Sequence, residues 1–491
     1  MAVKYRTSIV WLRRDLRLDD NVALARAAAE SERVVCAFVL DPALLRGGEL
    51  GAPIVAFFFD ALAELRAELR ALGSDLALLE GECANELRTL AKRVDATAVF
   101  YNRDYVPSAR ARDERVEAAL RASGCAVEAS LDHVYYGADE TLKADDKPYT
   151  VFTPYKRRWL ARHDEDPRPP VASREASSKK LATAAAIGAT RDVPEPEVYG
   201  HARSSLYARG GAALAHRELG DFLATRAGAY ADDRNFPAIP GTSYLSPHLR
   251  AGTIGIRTCV FRALQARADV RGGRAIGYDT WLSELIWRDF YQQILANFPH
   301  VATEPFLADA KRLEFRNAPN EFDAWAQGRT GYPIIDAAMM QLNTRGWMHN
   351  RLRMIVASFF TKDLLLDYRL GEGYFNRMLI DGELAANNGG WQWSASTGTD
   401  AAPYFRVFNP LLQSKKFDPD GRFIKSMLPA LARLEGDALH APWTLAPLQA
   451  EAIGFRIGRD YPEPMVDHAM ARERALALYA PVMGKAARVK T

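Results

Sequence analysis

The residues best equipped for chemistry are concentrated in one stretch, DGELAANNGGWQWSASTGTDAAPYFRVFNP, from Asp381 to Pro410. It combines an acidic pair, Asp381 and Glu383, with Asn387, Asn388, two glycines and two tryptophans, Trp391 and Trp393. Gly and Asn weaken helices and an indole needs a packing partner, so helix stability alone does not account for this order. Glycine admits close approach of a ligand, Asn amides donate and accept hydrogen bonds, and indoles offer a stacking surface and an oxidisable π-system. These are parts for a site that holds a large planar redox cofactor; the plainer alternative is a helix junction with an aromatic core.

Three further segments carry chemistry. In Gly241-Thr-Ser-Tyr-Leu-Ser-Pro247, Ser246 before Pro247 reads as an N-cap with Pro at the first helical position. With the Thr242 and Ser243 hydroxyls beside it, that helix start could cradle a pyrophosphate, although an N-cap alone is common. In WLSELIWRDFY, Glu284, Trp287, Arg288 and Tyr291 share one helix face, as the wall of a polar-aromatic pocket or as an aromatic-capped ion pair would. In WMHNRLRM, Asn350, Arg353 and Met354 fall on one side and Arg351 is turned about 100° away. Arg353 could pair with Asp381, and Arg351 could reach a phosphate.

The elements that must position these residues follow from pattern. At 491 residues, two or three domains are expected. A hydrophobic content of 48% with 25% charged residues describes a soluble globular protein, and neither a long apolar run nor a leader is visible, which reads as cytoplasmic. The four cysteines lie far apart without CxxC spacing, which argues against zinc or iron–sulfur clusters. A net charge of +3 permits nucleic acid without demanding it, so a phosphate-binding face must come from local Arg clustering.

In the first 135 residues, short apolar runs at Thr7–Leu12, Val34–Leu40, Asp75–Leu79 and Ala98–Tyr101 alternate with helical segments. The fold class is therefore α/β, a doubly wound parallel sheet, followed by a large all-α domain. The first strand leads into Arg13-Arg14-Asp15-Leu16-Arg17 instead of a dinucleotide-binding GxGxxG, and ligands are expected near Arg13, Phe38–Asp41 and Tyr101–Asp104. Residues 136–205, Pro-, Ser-, Ala- and Lys-rich from about Asp164 to Ser204, read as an interdomain linker, and 206–491 as the helical domain.

Taken together, WLRRDLRLDDN, GTSYLS, WLSELIWRDFYQ, TGYPIIDAAMMQLNTRGWMHNRLRM, the Asp381–Pro410 stretch and YPEPMVDH strongly resemble the photolyase/cryptochrome family over nearly the whole chain. Within it the chain looks most like microbial class I cyclobutane pyrimidine dimer photolyases. The resemblance implies an antenna-chromophore domain, then a helical domain holding FAD, active as FADH−, and a monomeric enzyme acting on dimers in single- or double-stranded DNA. It places Tyr230, Thr242, Ser243, Leu245 and Ser246 at the FAD phosphates and ribityl chain, and Trp281, Arg288, Asn350, Arg353, Asp381 and Glu383 around the flavin and adenine. Asn387 matches the residue facing flavin N5. Glu284, Trp287, Asn350, Met354 and Trp393 match the pocket for the flipped dimer, Glu284 stabilising its radical anion; Arg351 and Arg406 match phosphate contacts.

The chain departs from the family pattern at three places. Of the three-tryptophan chain that photoreduces the flavin, Trp391 is present, but Tyr368 and Phe315 stand at the middle and outer positions, so photoreduction is expected to be slow or rerouted through Trp325. Around Tyr101–Asp113, Ser108 and Ala109 replace the Asn-Glu pair of folate binders, and Asp104 with the FVLDP segment looks closer to deazaflavin binders; the antenna, if present, could be either or a second flavin. Glu383 stands where Asp is commoner. The rival reading is a signalling cryptochrome, which would be expected to carry a C-terminal extension in place of the short basic tail GKAARVKT; the (6-4) branch would need paired His where Asn350 and Met354 stand.

Overall fold

The computed structural model describes residues 3–48, 50–202 and 208–487, with side chains as far as Met483. The tail GKAARVKT therefore lies largely outside the described residues, as does the expected boundary at 205. Five parallel strands, β1 (Tyr5–Trp11), β2 (Ser31–Leu40), β3 (Ala77–Glu80), β4 (Ala98–Asn102) and β5 (Ala126–Ser130), form one sheet in the order β3-β2-β1-β4-β5. The register is set by pairs such as Val10↔Cys36 and Ser8↔Ala98.

The central strand is apolar at successive positions because both of its faces are covered. Val10 and Leu12 pack with Leu24, Leu62 and Leu65 of α1 (Val22–Glu30) and α2 (Ala52–Ala71). Ile9 and Trp11 pack with Leu87, Leu90, Val116 and Leu120 of α3 (Cys83–Arg93) and α4 (Pro107–Ala122). The strand order reverses between β1 and β4, which opens a crevice at their carboxyl ends. Arg13, Arg14, Asn102, Arg103, Asp104, Asp132 and His133 line a cleft there.

The segment read as a linker is packed structure. Phe152–Glu165 is a helix, α5, and Leu181 bridges to Val34 beyond the sheet. Ala182, Ile187 and Tyr199 are buried one at a time against the α/β core. Single apolar anchors spaced through a Pro/Ser/Ala background leave no periodicity, which is why composition alone reads as a linker.

The helices used below are α6 (Gly273–Asn297), α7 (Pro319–Ala326), α8 (Pro333–Arg345), α9 (Asn350–Ser358), α10 (Tyr368–Met378) and α11 (Leu384–Ser394). By internal packing the chain falls into two compact units, one of Met1–Ala231, Ser243–Pro299 and Ile380–Ala385, the other of Asp232–Thr242, His300–Leu379 and Ala386–Thr491. In this grouping α6 falls in the first unit. The second unit is built around Trp325, Ile335, Ile355, Phe360, Phe375 and Trp391. Among the described residues, no helix is long and apolar enough to cross a membrane. All four cysteines are free and buried.

Candidate functional site

In the first unit, α6 carries the expected stripe: Glu284, Trp287, Arg288 and Tyr291 are all half-buried, while Leu285, Ile286, Asp289 and Phe290 are buried. Trp281 is buried and meets Phe222 at 5.0 Å between ring centroids; Phe222 in turn meets Tyr230 at 5.6 Å. Two residues expected at the cofactor are thus joined by a third, Phe222, that had no signal in the sequence. Trp287 stacks on Phe152 of α5 at 3.6 Å and 6°, with Tyr291 at 5.5 Å. It is one member of an aromatic stack, not a bare plane.

Arg288 and Glu383 are brought together in a buried cluster. Glu383 Oε1 accepts from Arg14 Nη2 and lies 2.8 Å from His133 Nε2 and 3.5 Å from Arg288 Nη2. Arg14 Nη1 also reaches Asp104 at 3.3 Å. Burial opposes ionisation of Glu383, but Arg288, Arg14 and His133 outweigh it and hold the carboxyl well below its usual range. Burial, reinforced by the two guanidiniums, pushes His133 down to about 4, so its ring is neutral near pH 7 and donates to Glu383. Asp104, expected to face an antenna, is tied to Arg14 and to the Val106 N–H at 3.0 Å.

In the loop ahead of the short helix Ser246–Ala251, the structure corrects the cap. The N-cap is Leu245, with no side-chain cap bond, and Ser246 is already the first helical residue. Tyr244 has φ of 55°, an uncommon conformation for a non-glycine residue, and Leu245 is buried. Ser243 is half-buried. In the second unit, Thr242 Oγ1 is buried without a hydrogen-bond partner.

The Asn pair of the second unit sits inside α11 and divides its labour. Asn388 Nδ2 donates to Val301 O at 2.9 Å and to Glu372 Oε2 at 3.1 Å, and its Oδ1 accepts from Gln392 Nε2 at 3.1 Å. Asn387 Nδ2 donates to Asn376 Oδ1 at 2.8 Å and Glu372 O at 3.0 Å. Both of its N–H groups are engaged, so the amide orientation is fixed and Oδ1 is the atom it can offer. Burial pushes Glu372 up to about 7 against the Asn388 hydrogen bond. A Cβ on Gly390 would meet open space.

Trp391 is buried on Gly371, where a Cβ would lie 2.2 Å from the indole. Its ring neighbours are Phe375 at 5.1 Å, Phe360 at 5.6 Å and Trp325 at 6.1 Å. Trp393 is half-buried, and no described ring stacks on it. At the start of α9, exposed Asn350 places Nδ2 4.0 Å from Met354 Sδ. Arg351 points its guanidinium at Asn235 Oδ1, 2.5 Å away, and over the Phe417 ring. Arg353 Nε donates to Met348 O at 2.8 Å; Arg406 is exposed and Asp381 half-buried. Tyr368 is buried with its ring against Phe315 at 6.5 Å.

Comparison with known proteins shows the family of the chain. Residues 8–173 match the DNA photolyase model and residues 281–481 the FAD-binding domain of DNA photolyase. The curated deoxyribodipyrimidine photo-lyase of Salmonella typhimurium is 41% identical over 484 residues, covering 96% of this chain and 98% of its own length. The chain belongs to the DNA photolyase family. The photolyase of Halobacterium salinarum is 40% identical over 97% of this chain. A class III photolyase structure from Agrobacterium tumefaciens superimposes with a TM-score of 0.88 at 33% identity, 99% of each chain being covered. A Synechocystis cryptochrome gives 0.86 at 26% identity, covering 97% of this chain and all of its own.

The residues present fit the FAD that a photolyase carries. Thr242 Oγ1 and Trp391 Nε1 are buried polar atoms without partners, and polar atoms in that state are rare unless a ligand or water completes them. Asn387 Oδ1 adds an acceptor.

Proposed function

We infer that this protein repairs cyclobutane pyrimidine dimers in DNA by light-driven electron transfer, as the full-length identity to photo-lyases of 40% and more supports. Reduced FAD, when bound, supplies the photoexcited electron. Tyr230, Thr242, Ser243, Leu245 and Ser246 hold its phosphates and ribityl chain, and Trp281, Arg288, Arg353, Asp381 and Glu383 surround its rings. The observation that carries the mechanism is the fixed amide of Asn387. With both N–H groups engaged, it presents only an acceptor, which suits a flavin bearing hydrogen at N5 and disfavours one that does not.

A dimer cannot be reached inside a duplex and must be flipped out, which its broken pairing makes cheaper. Trp393 supplies the open ring for stacking, and Trp287, backed by Phe152, supplies an aromatic wall. Glu284 and Asn350 bond the polar edges of the bases, Met354 fills the apolar side, and Glu284 stabilises charge as it develops on the pyrimidine. Arg406, exposed, reaches a DNA phosphate; Arg351, engaged with Asn235 and Phe417, shapes the pocket before it contacts phosphate. We place the enzyme as a cytoplasmic monomer acting on single- and double-stranded DNA.

The test is blue-light repair of a defined thymine dimer in single-stranded and duplex DNA by chemically reduced, FAD-loaded protein. Loss of the dimer in light and none in the dark is expected. Bound, reduced FAD with no repair would overturn the reading in favour of a light sensor.

A further inference from the structure

The usual photoreduction route is interrupted in this chain, and the structure shows a different aromatic path leaving the same tryptophan. Trp391 has Trp325 of α7 as its indole neighbour, 6.1 Å between centroids and 73° between planes. Phe360 lies 5.6 Å from Trp391 and 4.6 Å from Trp325, so its ring flanks both indoles. Trp325 next meets Tyr374 of α10 at 5.7 Å. Tyr368 instead leads to Phe315, a ring too hard to oxidise to carry a hole.

Proton chemistry distinguishes the two tyrosines. An oxidised phenol is so acidic that it keeps its hole only by losing its proton. Tyr368 OH is buried without a hydrogen-bond partner, so its proton has nowhere to go. Tyr374 is half-buried, and its OH has two acceptors in reach, Oδ1 of half-buried Asn343 at 2.7 Å and Ala326 O at 3.1 Å. The indole Nε1 of Trp325 is buried without an acceptor, so a hole on that ring cannot be trapped by deprotonation.

We propose that Trp391, Trp325 and Tyr374 form the electron-transfer branch that photoreduces bound flavin in this protein, with Tyr374 as the terminal donor. The proposal rests on the FAD reading above. Trp391 gives one electron to the photoexcited oxidised flavin, Trp325 refills Trp391, and Tyr374 refills Trp325. As the electron leaves Tyr374, its phenolic proton passes to solvent water and a neutral tyrosyl radical remains. An external thiol then donates a hydrogen atom, which restores the phenol and leaves a thiyl radical.

The experiment uses FAD-loaded protein, flashed with blue light without thiol and followed by transient absorption and electron paramagnetic resonance. A long-lived tyrosyl signal is expected in the unsubstituted protein and in Tyr368→Phe, with at least a ten-fold loss in Tyr374→Phe. Trp325→Phe should slow flavin photoreduction at least ten-fold. Because Trp325 is fully buried, ring-deuterated tyrosine in the unsubstituted protein gives a second readout: the radical spectrum should narrow. A signal that survives Tyr374→Phe, vanishes in Tyr368→Phe or ignores deuteration overturns the branch while leaving dimer repair standing. Absence of flavin absorption before any flash would overturn the FAD reading and the branch together.

Discussion

Two polar regions of this molecule solve opposite problems. Around Glu383 in the first unit, charges are packed against one another: Arg14, Arg288 and His133 converge on one carboxylate. Around Asn387 and Trp391 in the second unit, Asn388 is tied at both ends but the Asn387 amide through its nitrogen only, and Asn387 Oδ1 and Trp391 Nε1 are left for something else. The first arrangement holds a shape and the second keeps atoms in reserve. Charge is costly to bury and must be answered within the protein, whereas an amide or indole can wait for a ligand at smaller cost.

The largest effect should come from breaking the charged region. Glu383→Gln leaves the half-buried Arg14 and Arg288 guanidiniums short of a partner and should cost about 3–5 kcal/mol of stability, measured by urea denaturation at pH 7. A cost below 1 kcal/mol would mean the cluster is solvated and holds no shape.

The two tryptophans sharpen the same contrast. Trp287 is stacked on Phe152, so Trp287→Ala should cost roughly 2–3 kcal/mol of stability. Trp393 carries no such stack, so Trp393→Ala should instead weaken binding to dimer-containing DNA by roughly 1–3 kcal/mol with FAD retained. Equal losses of lesion affinity with unchanged stability in both variants would remove the distinction.

Acid should act on the charged region first. His133 is pushed down to about 4 in the fold, so between its unfolded value near 6.5 and pH 4 the unfolded chain binds the extra proton. Its share of stability, roughly 1–3 kcal/mol, is present above pH 6.5 and lost as pH falls through that window. Denaturation midpoints of His133→Gln should depend less on pH there; an unchanged slope would contradict the assignment.

Glu372 carries the opposite sign. Its carboxyl is raised to about 7, so it weakens the fold progressively from pH 4.5 to 7 and by a constant amount above. Glu372→Gln, which keeps an acceptor for Asn388, should stabilise the protein by roughly 1–2 kcal/mol at pH 8 and leave it unchanged at pH 4. Destabilisation at pH 8 would show that the charged form is the one the fold uses.

How much of this could be read from sequence follows from the range of the interactions. Strands β1 to β4 were legible because burial on both faces writes a continuous apolar run. Strand β5 was not: AVEAS is short, lies at the sheet edge, and turns Glu128 towards Lys4, Tyr5 and Arg26. The α6 stripe was visible because helix neighbours are local in sequence. His133 gave no signal, since its partner Glu383 lies 250 positions away. The Asn-Asn pair was recognisable as chemistry, but which amide braces the helix and which is presented depends on Glu372, Asn376 and Val301, contacts that no local pattern encodes.

The measurement that bears most directly on the account is blue-light dimer repair by chemically reduced, FAD-loaded protein, wild type beside Asn387→Ala. Repair by wild type, with a loss of at least ten-fold in Asn387→Ala while FAD and damaged DNA remain bound, is the predicted result. Undiminished repair in Asn387→Ala would contradict the claim that its amide oxygen is held in reserve for the reduced flavin.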